Sequence, residues 1–176
     1  MVKVYADGSI TPSLMTSPHS SETSTHQFFG RICVIIPDLD YGLIERFVEG
    51  LLTAKGNPDT TYSEFLAITR ALEICKERSL DDYVIYSDAK GAVDQVAAPE
   101  VKWLPAGEFN PASAFLSRVL SRASYLRRSS RKITRRMPLT PAQDEVFRLL
   151  QADKEGIKLS SSPLWSKLQS DLGLAS

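Results

Sequence analysis

The chain has 176 residues, of which 43% are hydrophobic and 24% charged, and its 21 basic and 21 acidic side chains cancel to a formal net charge of zero. These are ordinary globular values, and the length allows a buried core that needs no disulfide staples. A net charge of zero argues neither for nor against a polyanionic partner, so that question passes to where the charges lie.

The two cysteines, Cys33 and Cys75, sit in apolar runs without metal-type spacing. They read as reduced core residues of an intracellular, cytoplasmic protein. Met1 leads directly into a strand-like run, so no secretory leader is expected. No apolar stretch approaches the roughly 20 residues of a membrane helix, and no membrane partner is expected.

In chain order, Val2-Lys3-Val4-Tyr5-Ala6 predicts a short strand that ends at Asp7-Gly8-Ser9. Residues 11–27 are rich in Ser, Thr and Pro and predict a long flexible loop. Phe28 to Ile36 is the strongest strand signal, stopped by Pro37-Asp38. Tyr41 to Leu52 predicts a third strand after a hairpin turn over Asp38 to Gly42, although Leu43 to Leu52 also fits a helix. After the break at Gly56-Asn57-Pro58-Asp59, Tyr62 to Arg78 places Phe65, Ile68, Leu72 and Cys75 on one helical face. Tyr83 to Tyr86 predicts a fourth strand, Ala89 to Val96 a short helix, Val101 to Leu104 a fifth strand and Ala112 to Leu126 a second long helix. The order β-β-β-α-β-α-β-α predicts an α/β fold with a mixed five-stranded sheet flanked by helices.

Three carboxylates stand where such a sheet places its chemistry. Asp7 closes the first strand, Asp88 closes the fourth, and Glu64 lies in the first turn of the long helix. If the two strands lie side by side and parallel, both aspartates emerge at the edge where open α/β sheets bind ligands. Hard oxygen ligands on separate elements suit Mg²⁺ or Mn²⁺. Each residue also has a purely structural reading: Asp7-Gly8 as a turn, Thr61-x-x-Glu64 as a capping box, and Ser87-Asp88 as a helix cap.

Val4-Tyr5-Ala6-Asp7-Gly8-Ser9, Thr60 to Ile68 with Ala71-Leu72-Glu73, Tyr83 to Asp88, and Trp103-Leu104-Pro105 followed by Asn110 stand in a telling order. Together they resemble the ribonuclease H family, in its type 1 and reverse-transcriptase-like branch, over residues of about 2–120. The resemblance implies a ribonuclease-H-like sheet of strand order 3-2-1-4-5. It implies a metal-dependent endonuclease, a hydrolase of the RNA strand in RNA/DNA hybrids. It further implies Asp7, Glu64 and Asp88 as catalytic metal ligands, with Asp7 bridging two Mg²⁺ ions and Ser9 near the substrate. The family's usual fourth aspartate falls on Ala114, beside Ser113, and its loop histidine has no counterpart, because His19 and His26 both lie in the early loop. Glu108 or Asp94 would be the candidates to substitute for the fourth acid. These departures keep a second reading open, a weakly active or inactive module that binds nucleic acid or serves as a scaffold.

Between Phe109 and Gln143 there is no acidic residue, while Arg118, Arg122, Arg127, Arg128, Arg131, Lys132, Arg135 and Arg136 accumulate. Such a cluster suits sequence-independent phosphate contact, or equally a solvated helix end favoured by the helix dipole. Residues 1–128 are thus expected to form the main domain, 129–138 a basic linker and 139–176 a helical extension. In that extension Thr140-Pro141 starts one helix, ended by Gly156, and Ser162-Pro163 starts another, ended by Gly173. The two helices are compatible with folding back on the main domain, with binding a partner or self-associating, and with a small nucleic-acid-binding unit.

Overall fold

A computed structural model describes residues 1–11, 29–47, 60–129 and 139–174. Its centre is a mixed six-stranded sheet of order β5-β4-β1-β2-β3-β6. The strands are β1 (Val2–Thr11), β2 (Phe29–Ile36), β3 (Tyr41–Phe47), β4 (Tyr83–Ser87), β5 (Val101–Trp103) and β6 (Lys154–Lys158). The helices are α1 (Thr60–Glu77), α2 (Lys90–Val96), α3 (Pro111–Ser129), α4 (Pro141–Gln151) and α5 (Pro163–Leu172). None of the described helices is long and apolar enough to cross a membrane.

The expectation of five strands is corrected to six, and the order 3-2-1-4-5 gains a strand outside β3. That strand lies in the segment expected to be purely helical. The helix begun at Thr140-Pro141 stops at Gln151, and Gly156 is not its cap but a residue of β6, opposite Leu43. A strand reading Lys-Glu-Gly-Ile-Lys has one apolar side chain, Ile157, so it carries no alternating pattern. Short, charged sequences of this kind are common at sheet edges, where they discourage further pairing.

The apolar run of β2 is continuous because both of its faces are covered. Ile32, Val34 and Ile36 pack with Ala67, Ile68, Ala71 and Ile74 of α1. Cys33 and Ile35 face the other way, into a second core built from Phe115 and Leu116 of α3, Leu149 of α4, Ile157 of β6 and Trp165 of α5. The sheet is therefore sandwiched, with α1 and α2 on one face and α3, α4 and α5 on the other. Both cysteines are free and buried.

Polar side chains tie the C-terminal elements to this frame. Arg31, the one charged residue inside the apolar run of β2, donates to the carbonyls of Leu149 at 3.1 Å and Ala152 at 3.2 Å, and contacts that of Leu150. It thus satisfies carbonyls at the end of α4 that have no partner within the helix. Buried Glu145 accepts from the Ser162 hydroxyl at 2.9 Å and the Leu164 amide at 2.8 Å, fixing the start of α5. Thr140 and Gln143 form a reciprocal capping box on α4. Residues 139–174 are thus part of the sheet and of its second core. The 11–27 loop beyond Thr11, both histidines, the continuation of the third strand past Phe47, and residues 130–138 lie outside the described residues.

Candidate metal centre

β1 and β4 are parallel neighbours, paired from Val2↔Tyr83 to Tyr5↔Tyr86. β1 runs on beyond the end of β4, so Asp7 and Asp88 emerge at one edge, past the last rung of the parallel ladder. The third carboxylate comes from α1. Its first turn crosses β1 so closely that a Cβ on Gly8 would stand 2.2 Å from the Ser63 carbonyl oxygen. Only glycine admits that approach, and the approach brings Glu64 to the sheet edge. The Gly8 amide donates to Glu64 Oε2 at 3.2 Å. Glu64 is thus directed at β1.

Asp7, Glu64 and Asp88 each offer a carboxylate oxygen within 4.8 Å of the other two. Asp7 is 8% exposed, Glu64 half-buried and Asp88 exposed, so the cluster has a closed back and an open front. Burial, then the charge of Asp88, pushes the Asp7 carboxyl up to about 7. Burial, then the charges of Asp7 and Asp88, pushes Glu64 up to about 9. The two buried carboxyls are therefore held above the ordinary carboxylate range by burial and by each other's charge. Among the described residues no cationic side chain offsets either shift. Three hard oxygen donors with unrelieved like charge match the donor set of a divalent cation, and the three residues could hold a metal ion.

The neighbouring loop is pinned to the same strand. Asn110 donates to the Ala6 carbonyl at 3.3 Å and accepts from the amides of Ala112 at 3.0 Å and Ser113 at 3.3 Å. It therefore caps α3 and anchors that helix beside Asp7. Ala114, where a fourth acid was expected, packs against the second core. Among the described residues neither Glu108 nor Asp94 joins the cluster.

Of the residues expected to contact nucleic acid, Ser9 and Arg118 are the two whose side chains are described. Ser9 lies two residues past Asp7 in β1, opposite Arg31. Arg118 makes an ion pair with Asp171 of α5 at 2.9 Å. It also lines a cavity of about 410 Å³ with Pro141, Val146, Leu164 and Lys167. Arg122, Arg127 and Arg128 fall on α3, but their side chains, like Arg131 and Lys132 altogether, lie outside what is described. The sequence reading passed over Lys90 and gave Trp103 no role of its own. The signal available was a lysine two residues past Asp88 and a tryptophan closing the neighbouring strand. Compared with models of known protein families, with curated proteins and with solved structures, the chain matches none.

Proposed function

We propose that this chain is a ribonuclease-H-like metal-dependent endonuclease that hydrolyses the RNA strand of RNA/DNA hybrids. The observation that carries the reading is the convergence of Asp7, Glu64 and Asp88, from a strand, a helix and a second strand end, to within 4.8 Å. These are the three positions at which the motifs resemble those of the ribonuclease H family, and they lie far apart in sequence. Mg²⁺ is the expected ion, with Mn²⁺ as substitute, because the donors are all carboxylate oxygens. Divalent ions, when bound, supply the water activation and leaving-group stabilisation of phosphodiester hydrolysis.

The chain's own contribution is positional. Asp7, the most buried of the three acids, would be the shared ligand, as the resemblance implies. The Gly8 amide orients Glu64, and Asn110 fixes the backbone just before Asp7. Exposed Asp88 keeps the front open to a polymeric substrate. No protein nucleophile is required.

A specific observation favours a second reading, a weakly active or inactive module that binds nucleic acid or acts as a scaffold. The fourth acidic position is Ala114, and no described acid replaces it. Cleavage of a labelled RNA/DNA hybrid in Mg²⁺ or Mn²⁺ separates the two. Under the first reading the RNA strand is cut and Asp7→Asn loses at least about a hundredfold in rate, the scale of removing a key electrostatic group. A folded wild-type protein that cuts in neither metal supports the second.

A further inference from the structure

The end of β5 sets an aromatic ring beside the carboxylates. β4 and β5 are parallel, with Trp103 opposite Ser87, the residue before Asp88. The Trp103 indole N–H donates to the Asp88 backbone carbonyl at 3.2 Å, which fixes the orientation of the ring. Lys90, the first residue of α2, brings its ammonium to 5.7 Å from the ring centroid. Trp103 is nevertheless 45% exposed, while Val101, two residues earlier on the same strand, is 5% exposed.

A single exposed apolar side chain is ordinary. Here three independent features coincide: a ring locked to the backbone of a cluster carboxylate, a cation over it, and a position at the edge where β4 and β5 end beside Asp7 of β1. Aromatic faces combined with basic side chains are how proteins hold unpaired bases and the phosphates that join them. The ring's charged neighbour is the Lys90 ammonium, which suits a polyanion better than an apolar protein surface.

We propose that Trp103 and Lys90 form a nucleic-acid contact beside the carboxylate cluster, in which an unpaired or terminal base stacks on the indole and the adjoining phosphate meets the Lys90 ammonium. This rests on reading the carboxylates as a phosphodiester site. The pair would choose which part of a strand is presented to Asp88, by holding the chain one stacked base away. The same geometry without a ligand is a surface cation–π pair, and that is the alternative to be tested.

The protein carries its own probe. It has two tryptophans, and the other, Trp165, is 8% exposed in the second core. Changes in emission on binding therefore report Trp103. Titration with oligothymidylate of about 12 nucleotides, in low salt with Ca²⁺ to neutralise the carboxylates, should give saturable quenching. With a labelled oligonucleotide read by anisotropy, Trp103→Ala should bind about tenfold more weakly and Trp103→Phe, which keeps a ring, within about twofold of wild type. Lys90→Ala should weaken binding and lower the salt slope by about one phosphate contact. Wild-type binding without quenching, an unaltered Trp103→Ala affinity, or no binding at all would overturn the proposal. Hybrid cleavage separates this from the enzymatic reading. A wild type that cuts, with KM unchanged in Trp103→Ala, removes only the stacking contact. A protein that stacks the base but never cuts removes only the nuclease.

Discussion

Asp7 and Glu64 cannot both be charged in the folded protein without cost, because burial and mutual repulsion act on each. Their ionisation therefore couples to folding. Both carboxyls are raised, Asp7 to about 7 and Glu64 to about 9, against an unfolded value of ~4. The folded state thus holds the protons more tightly. The stability these groups contribute is complete below about pH 4 and is lost as pH rises through about 7 and then about 9. A divalent cation reverses the trend, since it binds the deprotonated carboxylates and releases the protons. Thermal melts at pH 5.5 and 8.5 should show a Mg²⁺- or Mn²⁺-induced rise in Tm that is larger at the higher pH. At a hundredfold excess over Kd the gain is about 3 kcal/mol, or several degrees. An equal rise at both pH values would mean that the ion binds elsewhere. Asp7→Asn should remove most of the metal response.

At the scale of elements, the contact that makes the site is the crossing of α1 over β1. Gly8→Ala places a methyl 2.2 Å from the Ser63 carbonyl oxygen and 2.4 Å from its carbon. Those are backbone atoms in a helix packed on the sheet, and they do not yield as a side-chain tip would. Overpacking of this kind costs about 2–3 kcal/mol, readable as a shift in the denaturation midpoint. It should also displace Glu64 from Asp7, so that metal affinity falls more than in a surface variant of equal stability. Retained stability together with retained metal affinity would show that α1 can move freely. The elements differ in how plainly the sequence announces them. β2 is legible because its two buried faces make an unbroken apolar run. The N-termini of α4 and α5 are legible because Thr140-Pro141 and Ser162-Pro163 are local capping chemistry. β6 is not, because an edge strand with one apolar side chain has no period to detect. The carboxylates are legible only as an ordered set, since each alone also reads as a turn or a cap. What decides among those readings, the Gly8–Ser63 approach, is a contact between residues far apart in sequence, which no local pattern encodes.

The whole molecule is organised around two cores separated by one sheet, and the second depends on the C-terminal segment. Leu149, Ile157, Leu164, Trp165 and Leu168 supply much of its buried surface. At about 2 kcal/mol apiece they contribute about 10 kcal/mol, comparable with the entire stability of a typical domain. Deleting residues 139–176 should therefore abolish cooperative folding. The truncated chain would be insoluble, or would bind a hydrophobic dye and lack a thermal transition. A truncated chain that melts cooperatively would instead restore the division expected from sequence, a self-sufficient domain with an appendage. That division was a reasonable reading of the basic stretch before residue 138. It leaves folding back as one of three outcomes, because the ties that decide it, from Arg31 to the end of α4 and from Glu145 to the start of α5, join polar groups that carry no periodic signal.

The pairing of β3 with β6 also sets a timetable for the nascent chain. β3 ends at Phe47, and its outer partner begins at Lys154, roughly a hundred residues later. At a translation speed of ~5–20 residues per second, the ribosome takes roughly 5–20 s to deliver that partner. Through this interval the hydrogen-bonding edge of Tyr41–Phe47 is complete but unclaimed, and any second nascent chain on the same message offers an identical one. The short, charged strand that eventually covers it is thus also a release from a period of vulnerability, whose length is set by how fast the message is read.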